Sequence, residues 1–189
     1  CQFIVNDCQP KLLITNENID IKNTNIISPE INKNQHIHNT FYFQPYDLST
    51  LIYTSGTTGN PKGVMLTQDN ILSNITGIRQ RFNDIQMNTT SLSILPWAHI
   101  YGLTCELYYN LLYDNTTAIC SDKTKFTDEC KEIKPNVLYI VPKLLEHIKS
   151  KTQFLDLPIV NKSLPFILNR LFGNNLLNLF VGGAKLDKN

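Results

Sequence analysis

The sequence predicts an α/β fold of mostly parallel sheets with flanking helices. Two observations carry that expectation. From Ser91 onward, apolar strand-like runs alternate with segments of helical spacing, the pattern of a parallel sheet joined by right-handed crossovers. Three segments rich in glycine, proline or hydroxyls, at 53–63, 96–102 and 182–184, each follow such a run, and ligands of such sheets bind beyond the carboxyl ends of strands.

The elements follow in order. Gln9-Pro10 marks a break. Residues 16–40 are polar, Asn-rich and without period, which predicts a long surface loop, partly disordered. His36 and His38 lie in it with no carboxylate or thiol at ligand spacing, so solvated histidines are favoured over a metal site. Residues 48–54 and 63–67 read as short strands flanking the glycine-rich segment. A helix follows, with Ile71, Ile75, Ile78 and Phe82 on one face. Asp69 in its first turn and Arg79 and Arg81 in its last suit the helix dipole.

Residues 91–95 predict a strand ending at Pro96, and PWAHIYG then opens a helix running to about Leu112. Strands at 116–120 and 136–141 enclose a short helix at 127–133. Pro142 opens a helix at a position where its missing N–H costs nothing, with Leu144, Leu145 and Ile148 directed inward. A helix at 164–172 is stopped by Gly173, and the strand at 176–181 ends in Gly182-Gly183-Ala184.

At 189 residues the chain holds one sizeable core, or one domain with a small appendage. Its 17 basic and 16 acidic residues leave a net charge of +1, which gives no argument for a nucleic-acid partner or an acidic membrane surface; none is expected. No apolar run is long enough to span a membrane. Five cysteines, Cys1, Cys8, Cys105, Cys120 and Cys130, form no CxxC and are odd in number. They read as reduced intracellular thiols rather than as a disulfide framework or zinc site. Both ends read as cuts through a longer protein.

The segment YTSGTTGNPKG at 53–63 carries the clearest chemistry. Gly56 and Gly59 let backbone N–H groups close around an anion. Thr54, Ser55, Thr57 and Thr58 add hydroxyl donors, and Lys62 adds a compact cation suited to phosphate. It is not a P-loop, because Pro61 precedes Lys62 and Gly63 follows it. No GxGxxG occurs either.

This segment resembles, over all eleven positions, the phosphate-binding signature of the adenylate-forming (AMP-binding) superfamily. That group includes acyl-CoA synthetases, peptide-synthetase adenylation domains and luciferases. Further segments in the same order strengthen the resemblance. LPWAHIYG, with Pro96, His99 and Gly102, is similar to the family's acyl-pocket motif. KPNVLYIVPKLLEHI at 134–148 is similar to its Val-Pro run before a helix. LFVGGAKL is similar to its adenine-contacting turn, with Lys185 where the familiar form has Pro. QFIVNDCQPKLLIT, residues 2–15, resembles the place where a helix ends and a strand, here 11–15, follows.

The resemblance implies part of the large N-terminal domain of that fold over residues 1–189. The Thr-Glu pair and the C-terminal domain with its lysine would lie outside this chain, so the chain alone is expected to be inactive. It implies ATP, Mg2+ and CoA as cofactor and co-substrates, with Thr54, Ser55, Gly56, Thr57, Thr58, Gly59 and Lys62 on the β- and γ-phosphates. Thr54 would give a hydroxyl to the metal, and Gly182, Gly183 and Ala184 would lie against adenine. His99 would sit near the carboxylate being activated, with Gly102 in the same pocket; Trp97 and Tyr101 read equally as pocket walls or packing aromatics.

YTSGTTGNPKGVMLT joined to LPWAH most resembles the long-chain fatty acyl-CoA synthetase branch. Adenylation of another carboxylate, such as acetate, an aryl acid or an amino acid, is the alternative, as is a non-catalytic ATP or acyl-adenylate binding module. Expected partners are small molecules. A cytoplasmic site, or peripheral association with an internal membrane such as the endoplasmic reticulum, follows from a fatty substrate.

Overall fold

Helix α1 (Gln2–Cys8) leads into β1 (Leu12–Ile14) at the predicted Gln9-Pro10 break. A computed structural model describes residues 2–14, 25–27, 42–54, 60–82, 88–151 and 160–185. Strand β1 pairs in parallel with β2 (Asn25–Ile27). This strand lies within the segment expected to be a loop throughout: its short Asn-Ile-Ile run gains ladder bonds only from a partner distant in sequence, which no local period announces.

Strands β3 (Leu48–Thr54) and β4 (Lys62–Thr67) form an antiparallel hairpin, with Thr54 opposite Lys62. The parallel pattern therefore does not extend to these two strands. Tyr53 ties the hairpin to α1 by donating its hydroxyl to Asp7 Oδ2. Helix α2 (Gln68–Arg81) starts at a capping box. Thr67 Oγ1 accepts the Asn70 N–H at 3.2 Å, and Asn70 Oδ1 accepts the Thr67 N–H at 3.1 Å. Ile71 and Ile75 are buried as the helical spacing predicts.

The main sheet contains β5 (Thr90–Ser93), β6 (Thr116–Ile119), β7 (Val137–Ile140) and β8 (Asn178–Val181) in the order β6-β5-β7-β8, all parallel. Helix α4 (Phe126–Ile133) joins β6 to β7, and α5 (Pro142–Lys151) and α6 (Val160–Leu171) join β7 to β8. The β5–β6 connection departs from expectation. A turn spans Trp97–Ala98, a wide π-helical stretch covers Tyr101–Tyr108, and only Tyr109–Leu112 (α3) is an ordinary helix. The Tyr109 N–H reaches Thr104 O, five residues back, a widening that the 3.6-residue spacing of side chains does not encode.

Strand β7 is buried on both faces, as its unbroken VLYI run requires. Leu138 and Ile140 pack with Leu92, Phe126, Cys130, Ile148 and Phe172 against the α4–α6 layer. Val137 and Tyr139 face the other way, toward Ile71, Ile75 and Tyr109. The sheet is thus sandwiched between two helical layers. Deep burial pushes the Cys130 thiol up to about 12. Gly173, at φ +95°, ends α6 in a left-handed turn that a side chain resists.

Candidate active site

Strand order reverses at β5: the chain leaves it toward β6 on one side and returns to β7 on the other. Such a switch point opens a crevice at the strands' carboxyl ends. A cavity of about 530 Å³ lies there. Pro96 after β5 and Val141 after β7 form part of its wall, with Leu144 and Ile148 of α5. Lys123 and His147 are its basic lining groups. Neither was singled out in the sequence: Lys123 lies in a polar run and His147 in an amphipathic helix.

The turn after β5 is closed by the His99 N–H donating to Pro96 O at 3.0 Å. His99 is exposed, and its Nδ1 accepts the Tyr101 N–H at 3.2 Å. In the neutral ring that bond leaves the proton on Nε2, as a donor. Gly102 is packed so closely that an added Cβ would stand 3.0 Å from Pro96 O. Trp97 borders a smaller hollow of about 260 Å³ with Ser93, Ile119 and Cys120.

Tyr101 bridges to the turn after β8. Its hydroxyl donates to Phe180 O at 3.2 Å, and its ring covers Gly182 and Gly183. Burial holds this phenol above its ordinary range, so it stays a neutral donor. Gly183 has φ +77°, a conformation that glycine adopts without strain. Ala184 follows, exposed. The predicted segments at 96–102 and 182–184 therefore meet through Tyr101.

Thr54 and Lys62 stand opposite each other at the loop end of the β3–β4 hairpin, both exposed. Ser55, Gly56, Thr57, Thr58 and Gly59 lie outside the described residues. The hairpin is linked to the helical layer by Thr50 Oγ1 and Tyr108 Oη, 3.1 Å apart. Phe82, after α2, meets Phe180 of β8 edge to face at 5.1 Å.

Beneath the 96–102 turn runs a polar chain that the sequence reading missed. The Trp97 indole N–H donates to Ser93 Oγ at 3.1 Å, and Ser93 Oγ donates to Glu106 Oε2 at 2.6 Å. Glu106 is fully buried, and its Oε1 has no partner among the described residues. Desolvation lifts its pKa above the usual carboxyl value, against the opposing pull of Ser93 and its neighbours. Nearby, the Asn110 amide donates to Ser91 Oγ at 2.9 Å and Thr117 Oγ1 at 2.8 Å. The only hint in sequence is a lone carboxylate within the apolar run around 103–112 facing the Ser-Leu-Ser of β5.

A parallel sheet between helical layers, with proline and glycine turns gathered at its carboxyl edge, defines an α/β ligand-binding domain. The chain belongs to the AMP-binding enzyme family, whose model matches residues 1–189. It is 34% identical over 142 residues to a probable chloroplastic acyl-activating enzyme 16 of Arabidopsis thaliana, covering 66% of this chain and 18% of that protein. It is 35% identical over 121 residues to long-chain-fatty-acid–CoA ligase 5 of Mus musculus, covering 58% of this chain and 16% of that one. The chain thus spans less than a fifth of these curated relatives.

The fold is shared with a double mutant of o-succinylbenzoate CoA synthetase from Bacillus subtilis, at TM-score 0.72 and 21% identity over 98% of this chain and 36% of that one. A malonyl-CoA ligase product complex gives 0.74 and 17% over 97% and 38%. The large N-terminal domain of the adenylate-forming fold is therefore the architecture to which these residues belong.

Proposed function

We propose that the full-length protein containing this chain activates a carboxylic acid with ATP, forming an acyl-adenylate, and then passes the acyl group to CoA. Family membership and the names of the relatives support the reaction class. The observation that carries the reading in this chain is the meeting of two motifs through Tyr101. That contact joins a turn suited to an acid, with the donor of His99, to a turn of small residues suited to a flat base.

Activation requires an anionic carboxylate to approach a polyanion. Preorganised N–H donors and cations lower that electrostatic barrier. Residues 54–59 and Lys62 would hold the β- and γ-phosphates, and Gly182, Gly183 and Ala184 would take the adenine. No group of three His, Cys, Asp or Glu able to hold a metal occurs among the described residues. Magnesium would offset phosphate charge, with Thr54 offering one hydroxyl. Trp97, His99, Tyr101 and Gly102 would shape the acid's approach.

A long-chain fatty acid is the proposed substrate. The 35% identity to a long-chain-fatty-acid–CoA ligase supports it, as does the largely apolar cavity beginning at Pro96. Such a substrate favours a cytoplasmic enzyme that associates peripherally with an internal membrane. The test is acid-dependent exchange of labelled pyrophosphate into ATP by the full-length protein, across straight-chain acids of rising length plus aryl and amino acids. Exchange peaking with long chains is expected. A peak with short, aryl or amino acids overturns the substrate assignment. No exchange in a folded, ATP-binding protein overturns the enzymatic reading and favours a binding module.

A further inference from the structure

We propose that Glu106 is a positioning residue for the acid-binding turn: through Ser93 its buried carboxyl fixes Trp97, and with it the Pro96–His99 bend. The inference rests on the acid-activating reading above.

The geometry leaves little freedom in this chain. An indole N–H donates and never accepts, so Ser93 Oγ must accept from Trp97. Its single proton is then directed to Glu106 Oε2. Ser93 and Glu106 are both buried, where water does not compete for these bonds. The acceptor stands on the π-helical stretch, which starts just beyond the bend it anchors. Wide helical turns of this kind recur at functional sites. Two bonds therefore hold the bend from below at Trp97, while His99 is fixed above by Tyr101.

Stability alone does not explain the carboxyl. Its Oε1 is buried without a partner among the described residues, a burden that a leucine of similar size would not carry. Replacing Glu106 by leucine removes the unpartnered Oε1 but also the acceptor of the buried Ser93 hydroxyl, and so frees the indole. Replacing it by glutamine keeps an acceptor for Ser93.

The test uses the full-length protein labelled with 5-fluorotryptophan, with the Trp97 resonance assigned by its loss in Trp97→Phe. Glu106→Leu and Ser93→Ala are expected to shift that resonance and raise the KM for the acid about tenfold, since small misplacements at a reacting site are costly. The KM for ATP should hold, and Glu106→Gln should restore both readouts. An unmoved resonance, an unchanged acid KM, or a Glu106→Gln protein as impaired as Glu106→Leu overturns the inference. If Glu106→Leu does not fold, Ser93→Ala reads the same two quantities. A wild-type protein that exchanges pyrophosphate with no acid refutes the functional reading instead, and the resonance then decides alone whether Glu106 fixes Trp97.

Discussion

The Tyr101 ring occupies the space that a side chain at Gly182 would need: an added Cβ would stand 3.0 Å from Tyr101 Cζ and 3.2 Å from its hydroxyl oxygen. Gly182→Ala must displace the ring and weaken its bond to Phe180 O. Overpacking of this kind destabilises by about 1–3 kcal/mol. The same substitution in a Tyr101→Ala background should be milder, because the clashing atoms are gone. A double-mutant cycle on the unfolding midpoint measures the coupling. Additive effects would show that the two turns are held together by something other than this contact.

Gly173 is a harder constraint. It combines φ +95° with a would-be Cβ only 2.5 Å from Cys130 O, a backbone atom. Neither the ring of a flexible neighbour nor a rotamer change can relieve that contact. Gly173→Ala should destabilise by at least about 2 kcal/mol from backbone strain and clash together. The readout is a lowered urea midpoint. A neutral substitution would mean that the end of α6 shifts freely against α4.

The contrast between these glycines and Glu106 shows what is legible in the sequence. Gly173 after an amphipathic run reads directly as a helix stop, and VLYI reads as a strand. Both depend on local period and chirality. Strand β2 was invisible, because Asn25–Ile27 is a strand only through pairing with β1. The helix after Pro96 was predicted too early and in the wrong form. Its opening residues turn instead, and the wide stretch follows tertiary contacts such as Ser93 with Glu106. Glu106 is only a lone carboxylate in its local run; the bond that holds it comes from a strand residue thirteen positions earlier. Motif chemistry nominates Thr54 and Lys62 for phosphate as an expectation, while the register shows only that they face each other.

Burial raises the Glu106 pKa in the folded state, and the sign of the resulting pH dependence follows. A raised pKa means that the folded protein binds the proton more tightly than the unfolded chain. The contribution to stability is fully present below the ordinary carboxyl value of 4.5 and is lost as pH rises toward the folded-state value. Glu106→Gln removes the titration. The stability of Glu106→Gln relative to wild type should therefore increase as pH climbs above about 4.5, then level off. Parallel urea titrations at several pH values check this. A flat difference would show that the carboxyl is not penalised by its burial.

Lys62 supplies the only cation in residues 53–63. Hydrogen bonds to charged groups contribute about 1.5–3 kcal/mol. Lys62→Ala in the full-length protein should therefore raise the KM for ATP by about ten- to a hundredfold. The KM for the acid should change little. Steady-state exchange kinetics at varied ATP separates the two, and an unchanged dependence on ATP would remove Lys62 from the phosphate site.

His99 offers the complementary test at the acid. Its Nδ1 is engaged by the Tyr101 N–H, so Nε2 is the nitrogen free to donate. If that donor meets the carboxylate as it attacks, His99→Ala should lower adenylation by about ten- to a hundredfold while ATP binding holds within about twofold. His99 is exposed, so the loss of packing should be small. His99→Asn is the sharper variant, because a short amide can still accept from the Tyr101 N–H yet cannot reach as far as Nε2. It should preserve the bend, read by the Trp97 resonance, and still lose adenylation. Equal loss of adenylation and ATP binding in both variants, with a moved resonance, would assign His99 to the shape of the turn rather than to the acid.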